Sequence, residues 1–194
     1  MQKLTRNDLY ALERYAQERS EFRARVLAHK KNRRVALGMN AALYFEDRLT
    51  IQYQIQEMLR TERIFETQGI DDELSAYNPL IPDGCNWKAT FMLEYGDEEE
   101  RHAALAQLIG IENKVWMKVE GFPSSYAIAD EDMSRTNAEK TSAVHFMRFE
   151  LTPEMASGVK AGAALSVGID HPQYHCQVER LPESVRAALA RDID

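Results

Sequence analysis

The chain has 194 residues, 44% of them apolar and 28% charged, with nine Gly and six Pro, a globular composition that excludes extended disorder. No run approaches the roughly 20 apolar residues that span a bilayer, and Met1 to Ser20 lacks the apolar centre of a secretory signal, so the expected compartment is cytoplasmic. Two cysteines, Cys85 and Cys176, are too few for a disulfide scaffold and lack the short paired spacing of a zinc or redox motif.

The net charge of −7 is unevenly spread. Residues 1–34 hold ten Lys/Arg against four Asp/Glu, a net of +6, which leaves −13 for residues 35–194. A basic arm packed on an acidic body accounts for this, and with no recognisable nucleic-acid module present, nucleic acid is not the expected partner. The length suits a single domain of three parts: a basic helical arm (1–34), an α+β body (35–181) and a C-terminal helix (182–194).

In chain order, Thr5 with Asp8 three residues later opens a helix expected to end near Arg19. Ser20 then caps a second helix with Phe22, Val26 and His29 on one face and Lys30, Lys31, Arg33 and Arg34 in its last turn, where positive charge suits the helix dipole. Val35–Leu37 and Ala42–Phe45 read as a hairpin around Gly38. The stretch 44–66 runs from strand into the longest helical pattern of the chain and is the expected buried centre. Its Ile51, Ile55, Met58, Glu62 and Phe65 recur at helical steps. A shorter helix over 71–77 stops before Asn78-Pro79, and an irregular loop follows to Asn86.

Residues 87–95 alternate as a central strand, with Lys88, Thr90, Met92 and Glu94 on one face and Ala89, Phe91, Leu93 and Tyr95 on the other. A helix begins at the acidic run Asp97 to Glu100. Strands follow at 115–119 and, as its expected partner, 126–129. The polar stretch from Asp130 lacks the offsets of a calcium loop and reads as an exposed helix start. Residues 143–151 form a buried strand, with His145, Met147 and Phe149 on one side and Arg148 and Glu150 on the other. Thr152-Pro153 opens a short helix closed by Gly162. Strands at 164–169 and 174–178 and a final helix from Pro182 complete an α+β fold: a mostly antiparallel sheet of seven or eight strands, or a partly closed barrel, with a helical N-terminus and one long central helix.

Two sets of side chains could carry chemistry. His29, His145 and His171 with Glu57 or Glu62 offer imidazole and carboxylate ligands suited to iron or zinc, although they are scattered along the chain. Glu57 and Glu62 lack the Glu-x-x-His step of di-iron helices, and arginines such as Arg60 and Arg63 can satisfy them instead. His171 and His175 share a strand face but sit about 13 Å apart unless Pro172 turns the chain. The second set, Lys88, Arg60 and Arg148, could hold a small anion.

The segments HKKNRRVALG (29–38), FEDRLTIQYQIQEMLRTERIF (45–65), YNPLIPDG (77–84), NWKATFMLEY (86–95) and KTSAVHFMRFELTPEM (140–155) together resemble an uncharacterised bacterial family known as a domain of unknown function. The resemblance covers most of the chain. It implies neighbourhood with iron–sulfur and rubrerythrin-like proteins, hence a redox or oxidative-stress role, and no catalytic use of Cys85 or Cys176. Three functions follow as expectations: a metal-binding or redox-accessory protein, an interaction module, a candidate homodimer or other homo-oligomer, docking on an iron–sulfur or rubrerythrin-like partner, and an enzyme acting on a small anion.

Overall fold

Strict alternation of apolar and polar residues decides how the strands lie, because a strand sends successive side chains to opposite faces. In the computed structural model, which describes all 194 residues, nine strands form two antiparallel sheets. The first runs β1 (Arg34–Leu37), β2 (Ala41–Glu46), β3 (Asn86–Leu93), β7 (Val144–Glu150), β6 (Ile128–Ala129) in that spatial order. The second runs β5 (Ser125–Tyr126), β4 (Val115–Val119), β8 (Leu165–His171), β9 (Tyr174–Val178). β3 is central to the first sheet. Its buried Trp87, Ala89, Phe91 and Leu93 meet Met117, Val167 and Ile169 of the second sheet in one hydrophobic cluster of 28 residues.

The sheets do not close into a barrel. One side is joined by Tyr174, whose hydroxyl donates to Leu37 O (2.7 Å) and accepts from Asn40 N (3.0 Å). On the other, the stretch expected as one partner strand of β4 divides. β5 pairs with β4, Ala127 N donates to Val115 O (2.8 Å), and β6 then pairs with β7, so the chain steps from one sheet to the other within five residues.

The six α-helices are α1 (Leu12–Lys30), α2 (Arg48–Glu62), α3 (Thr67–Tyr77), α4 (Glu98–Gln107), α5 (Pro153–Lys160) and α6 (Glu183–Ala190). The Thr5–Asp8 capping box forms, but around a single 3-10 turn. The two expected N-terminal helices are instead one, with Ser20 in the middle of α1, because no Gly or Pro interrupts the run. The expected buried centre is also displaced. α2 belongs to a satellite cluster of six residues with Leu4, Leu74 and Ile81, while the main core lies between the sheets. α2 stops at Glu62 because Arg63 turns left-handed (φ 55°), which leaves Phe65 exposed. No helix starts after Asp130, whose φ of 53° and bonded carboxylate hold an irregular loop. No helix of the protein is long and apolar enough to cross a membrane.

A buried arginine joins the arm to the body. Arg33, 2% exposed, donates to Phe45 O and Glu46 O (3.0 Å each) and pairs with Asp192, 1% exposed, just after α6. Burial pushes the Asp192 carboxyl up to about 6, against the pull of Arg33. An acid whose pKa is raised by folding favours the native state while protonated, and that contribution fades as pH climbs from its ordinary value through about 6. The stability difference between the wild type and Asp192→Asn is therefore expected to fall, by about 3 kcal/mol at most, between about pH 4 and 7 in urea unfolding. A difference that rises with pH would contradict this sign.

Packing between strands gives a second test. Trp116 lies opposite Gly168, and a Cβ there would come within 2.4 Å of the indole and 2.9 Å of Cys176 O. Gly168→Ala is expected to cost about 1–3 kcal/mol, measured by urea denaturation, because neither a packed indole nor a backbone carbonyl yields easily.

Candidate functional site

The outer face of the five-stranded sheet is only partly covered. α2 and the segment from α3 through a 3-10 turn at Asn78–Leu80 roof it, leaving two cavities of about 490 and 470 Å³ that share Tyr77, Leu80 and Phe146. Together they make one groove. Its floor is the polar face of β2, β3 and β7, where Lys88 lies in register between Glu46 and Arg148.

The charged neighbours of Lys88 on the sheet face are already engaged elsewhere, and beyond them the exposed Asp83 carboxylate and Lys3 also act on it. Glu46 accepts from Thr50 Oγ1 (2.5 Å) and Thr90 Oγ1 (2.8 Å). Arg148 makes two 2.8 Å bonds to Glu131 and one to Glu150. Asp132 at the rim is held by Arg135, which keeps its carboxyl at about 2. Arg148 likewise holds the Glu131 carboxyl below its usual range. Lys88, half-buried in the middle of a strand, forms no ion pair and donates no hydrogen bond within the protein. Burial lowers its ammonium pKa, with Glu131 working in the opposite direction and Arg148 adding to the fall. The groove thus carries an apolar wall, Tyr77, Leu80 and Phe146, with the unpaired ammonium of Lys88 at the first cavity and Lys30, also without an ion pair, at the second.

Of the three expected anion ligands, Lys88 and Arg148 are neighbours here, whereas Arg60 lies on an exposed part of α2, 3.6 Å from Glu57. Tyr77 and Leu80 are contributors that alternation in the strands could not indicate. The signal was the apolar residue inside the Asn78-Pro79-Leu80-Ile81 loop.

The five expected metal ligands are placed apart. His29 Nε2 lies 2.5 Å from Asp47 Oδ2, at a cleft of about 320 Å³ that also contains Arg33 and Asp192. Asp47 is the cap of α2 and accepts from Leu49 N and Thr50 N. His145 is fully buried: Nδ1 lies 2.6 Å from Asp130, and Nε2 lies 3.0 Å from Thr141 Oγ1 and from Ser142 O. Thr141 and Thr136 continue this network to the buried carboxylate of Glu112 (3.3 and 3.0 Å). His171 Nε2 faces Ile109 O at 3.2 Å, and its Nδ1 accepts from Gln173 N. Glu57 takes two bonds from Arg19 and one from Tyr15, which hold its carboxyl at about 2, and Glu62 is exposed. No three His, Cys, Asp or Glu side chains converge in a group able to hold a metal ion. His171 and His175 do not converge either, since His175 is paired in register with Asp170.

The family model described as "Protein of unknown function (DUF3501)" matches residues 3–193, and the chain belongs to that family. The fold is also that of a crystal structure from Burkholderia pseudomallei, described as a novel protein of unknown function, with 54% identity, a TM-score of 0.95 and all of each chain covered. No curated protein matches the chain.

The bonding of His145 makes it a packing residue. His145→Ala is expected to lower unfolding free energy by about 1–3 kcal/mol, since Asp130 Oδ2 loses its hydrogen-bond partner while Thr141 keeps Thr136 and Glu112. Equilibrium unfolding checks this, and a variant as stable as the wild type would remove the network from any structural role.

Proposed function

We propose that this protein binds a small organic anion with a flat apolar body in the groove over the five-stranded sheet. The observation that carries the reading is Lys88, a half-buried ammonium with three free donors on the floor of a cavity of about 490 Å³. An ammonium in such a place has given up part of its hydration without gaining a partner, a cost that a bound carboxylate or phosphate offsets. The remaining lining fits the usual build of a small-molecule site, mostly apolar with a few placed polar groups. Tyr77, Leu80 and Phe146 hold the ligand body, and Lys88 orients its anionic end.

Benzoate is a suitable probe, since it joins a carboxylate to a flat ring. In NMR titration its shifts are expected to centre on Lys88, Phe146 and Tyr77, and Lys88→Met to weaken binding about tenfold or more, the loss of one charge-assisted hydrogen bond. The same variant is expected to change unfolding free energy by no more than about 0.5 kcal/mol, because Lys88 has no partner in the protein to lose. Unchanged binding in Lys88→Met would remove the reading.

A further inference from the structure

We infer that Lys88 is an imine-forming lysine, and that the ligand of the groove is a small 2-oxo acid whose carbonyl carbon it attacks. The inference rests on the reading of the groove as an anion site and names both the ligand class and the chemistry. Three features carry it.

The amine is held where a nucleophile is useful: mid-strand on a rigid sheet, at a cavity floor, with neither Glu46 nor Glu131 pairing with it. A lysine locked in an ion pair keeps its proton and its lone pair is unavailable, whereas a partly desolvated one beside another cation yields its proton more easily. Burial, the largest influence, acts on Lys88 in that direction, and Arg148 and Lys3 add to it against the pull of Glu131 and Asp83.

Arg148 can hold the carboxylate. It spends three N–H donors on Glu131 and Glu150, and a guanidinium has five. The two left over sit on the strand next to Lys88, in register with it and lining the same cavity. A carboxylate and a carbonyl on adjacent carbons match a guanidinium and an amine on adjacent strands. Tyr77, whose hydroxyl makes no hydrogen bond within the protein, lines that cavity too and can donate to the carbonyl oxygen.

The step is balanced. The neutral amine adds to the carbonyl carbon, giving a carbinolamine. The C–O bond then breaks with protonation of the oxygen, and a C=N bond remains. Overall, the ammonium and the 2-oxo acid give a protonated imine and one water, with no oxidant or reductant. The iminium draws electrons from the bonds of the carbon next to the former carbonyl carbon, so it eases loss of a proton from that carbon to give an enamine.

The experiment uses the full chain, pyruvate and sodium cyanoborohydride, read by intact mass and peptide mapping, with lactate binding followed by NMR in parallel. One reduced adduct per chain, on Lys88, is expected for the wild type and none at that position for Lys88→Arg, which keeps the charge but cannot form the imine. Lactate, which has the carboxylate but no carbonyl, is expected to bind both proteins. Adducts spread over the other lysines, or equal in wild type and Lys88→Arg, would overturn the imine. If lactate and benzoate still bound at the groove in that case, the anion reading would stand alone, and if neither bound, both would fall.

Discussion

Arg33 is the contact on which the arrangement of the groove depends. It sits in the first turn after α1, buried, and its guanidinium reaches the end of β2 through Phe45 O and Glu46 O, the cap of α2 through Asp47, and the C-terminal segment through Asp192. The end of α1, the junction of β2 with α2 and the distant C-terminal segment are thereby held at one point. The cost is high, since both charges leave water, and Asp192 shows it in a raised carboxyl pKa. What the pair secures is geometry: with the end of β2 and the start of α2 fixed together, α2 must run over the outer face of the sheet.

That geometry creates the groove and also explains why its cation stays free. The outer face carries as many acids as bases, and a flat exposed sheet would let them pair across strands. Here the roof supplies competitors. Thr50 from α2 draws Glu46 away from Lys88, and the loop after β6 brings Glu131 onto Arg148. Lys88 is left beside a Glu46 and an Arg148 that each bond elsewhere. None of the lysines forms an ion pair; what sets Lys88 apart is its half-buried place on a strand at the floor of a cavity.

Much of this was legible in the sequence where the cause is local. The alternation over 87–95 placed Lys88, Thr90 and Met92 on one face, Thr152-Pro153 and Gly162 bounded α5, and the hairpin around Gly38 formed as expected. Lys88 and Arg148 were readable as residues of one sheet face because both lie on strands whose period is plain. Causes that act across the fold were not legible. Nothing near Ser20 announces that α1 continues, nothing near Ala127 announces a change of sheet, and Arg33 finds Asp192 only after 158 intervening residues have folded. The histidines illustrate the same limit: His29, His145 and His171 sit on apolar or turn positions as expected, but each ring is engaged by its own carboxylate or carbonyl partner. Side-chain type suggested ligands, and in the fold these side chains face separate partners and do not converge.

The most direct test is a crystal structure of the protein grown with benzoate. Its carboxylate is expected within hydrogen-bond distance of Lys88 Nζ and its ring between Tyr77, Leu80 and Phe146. A structure in which Lys88 pairs with Glu46 or Glu131 and benzoate binds elsewhere would contradict it.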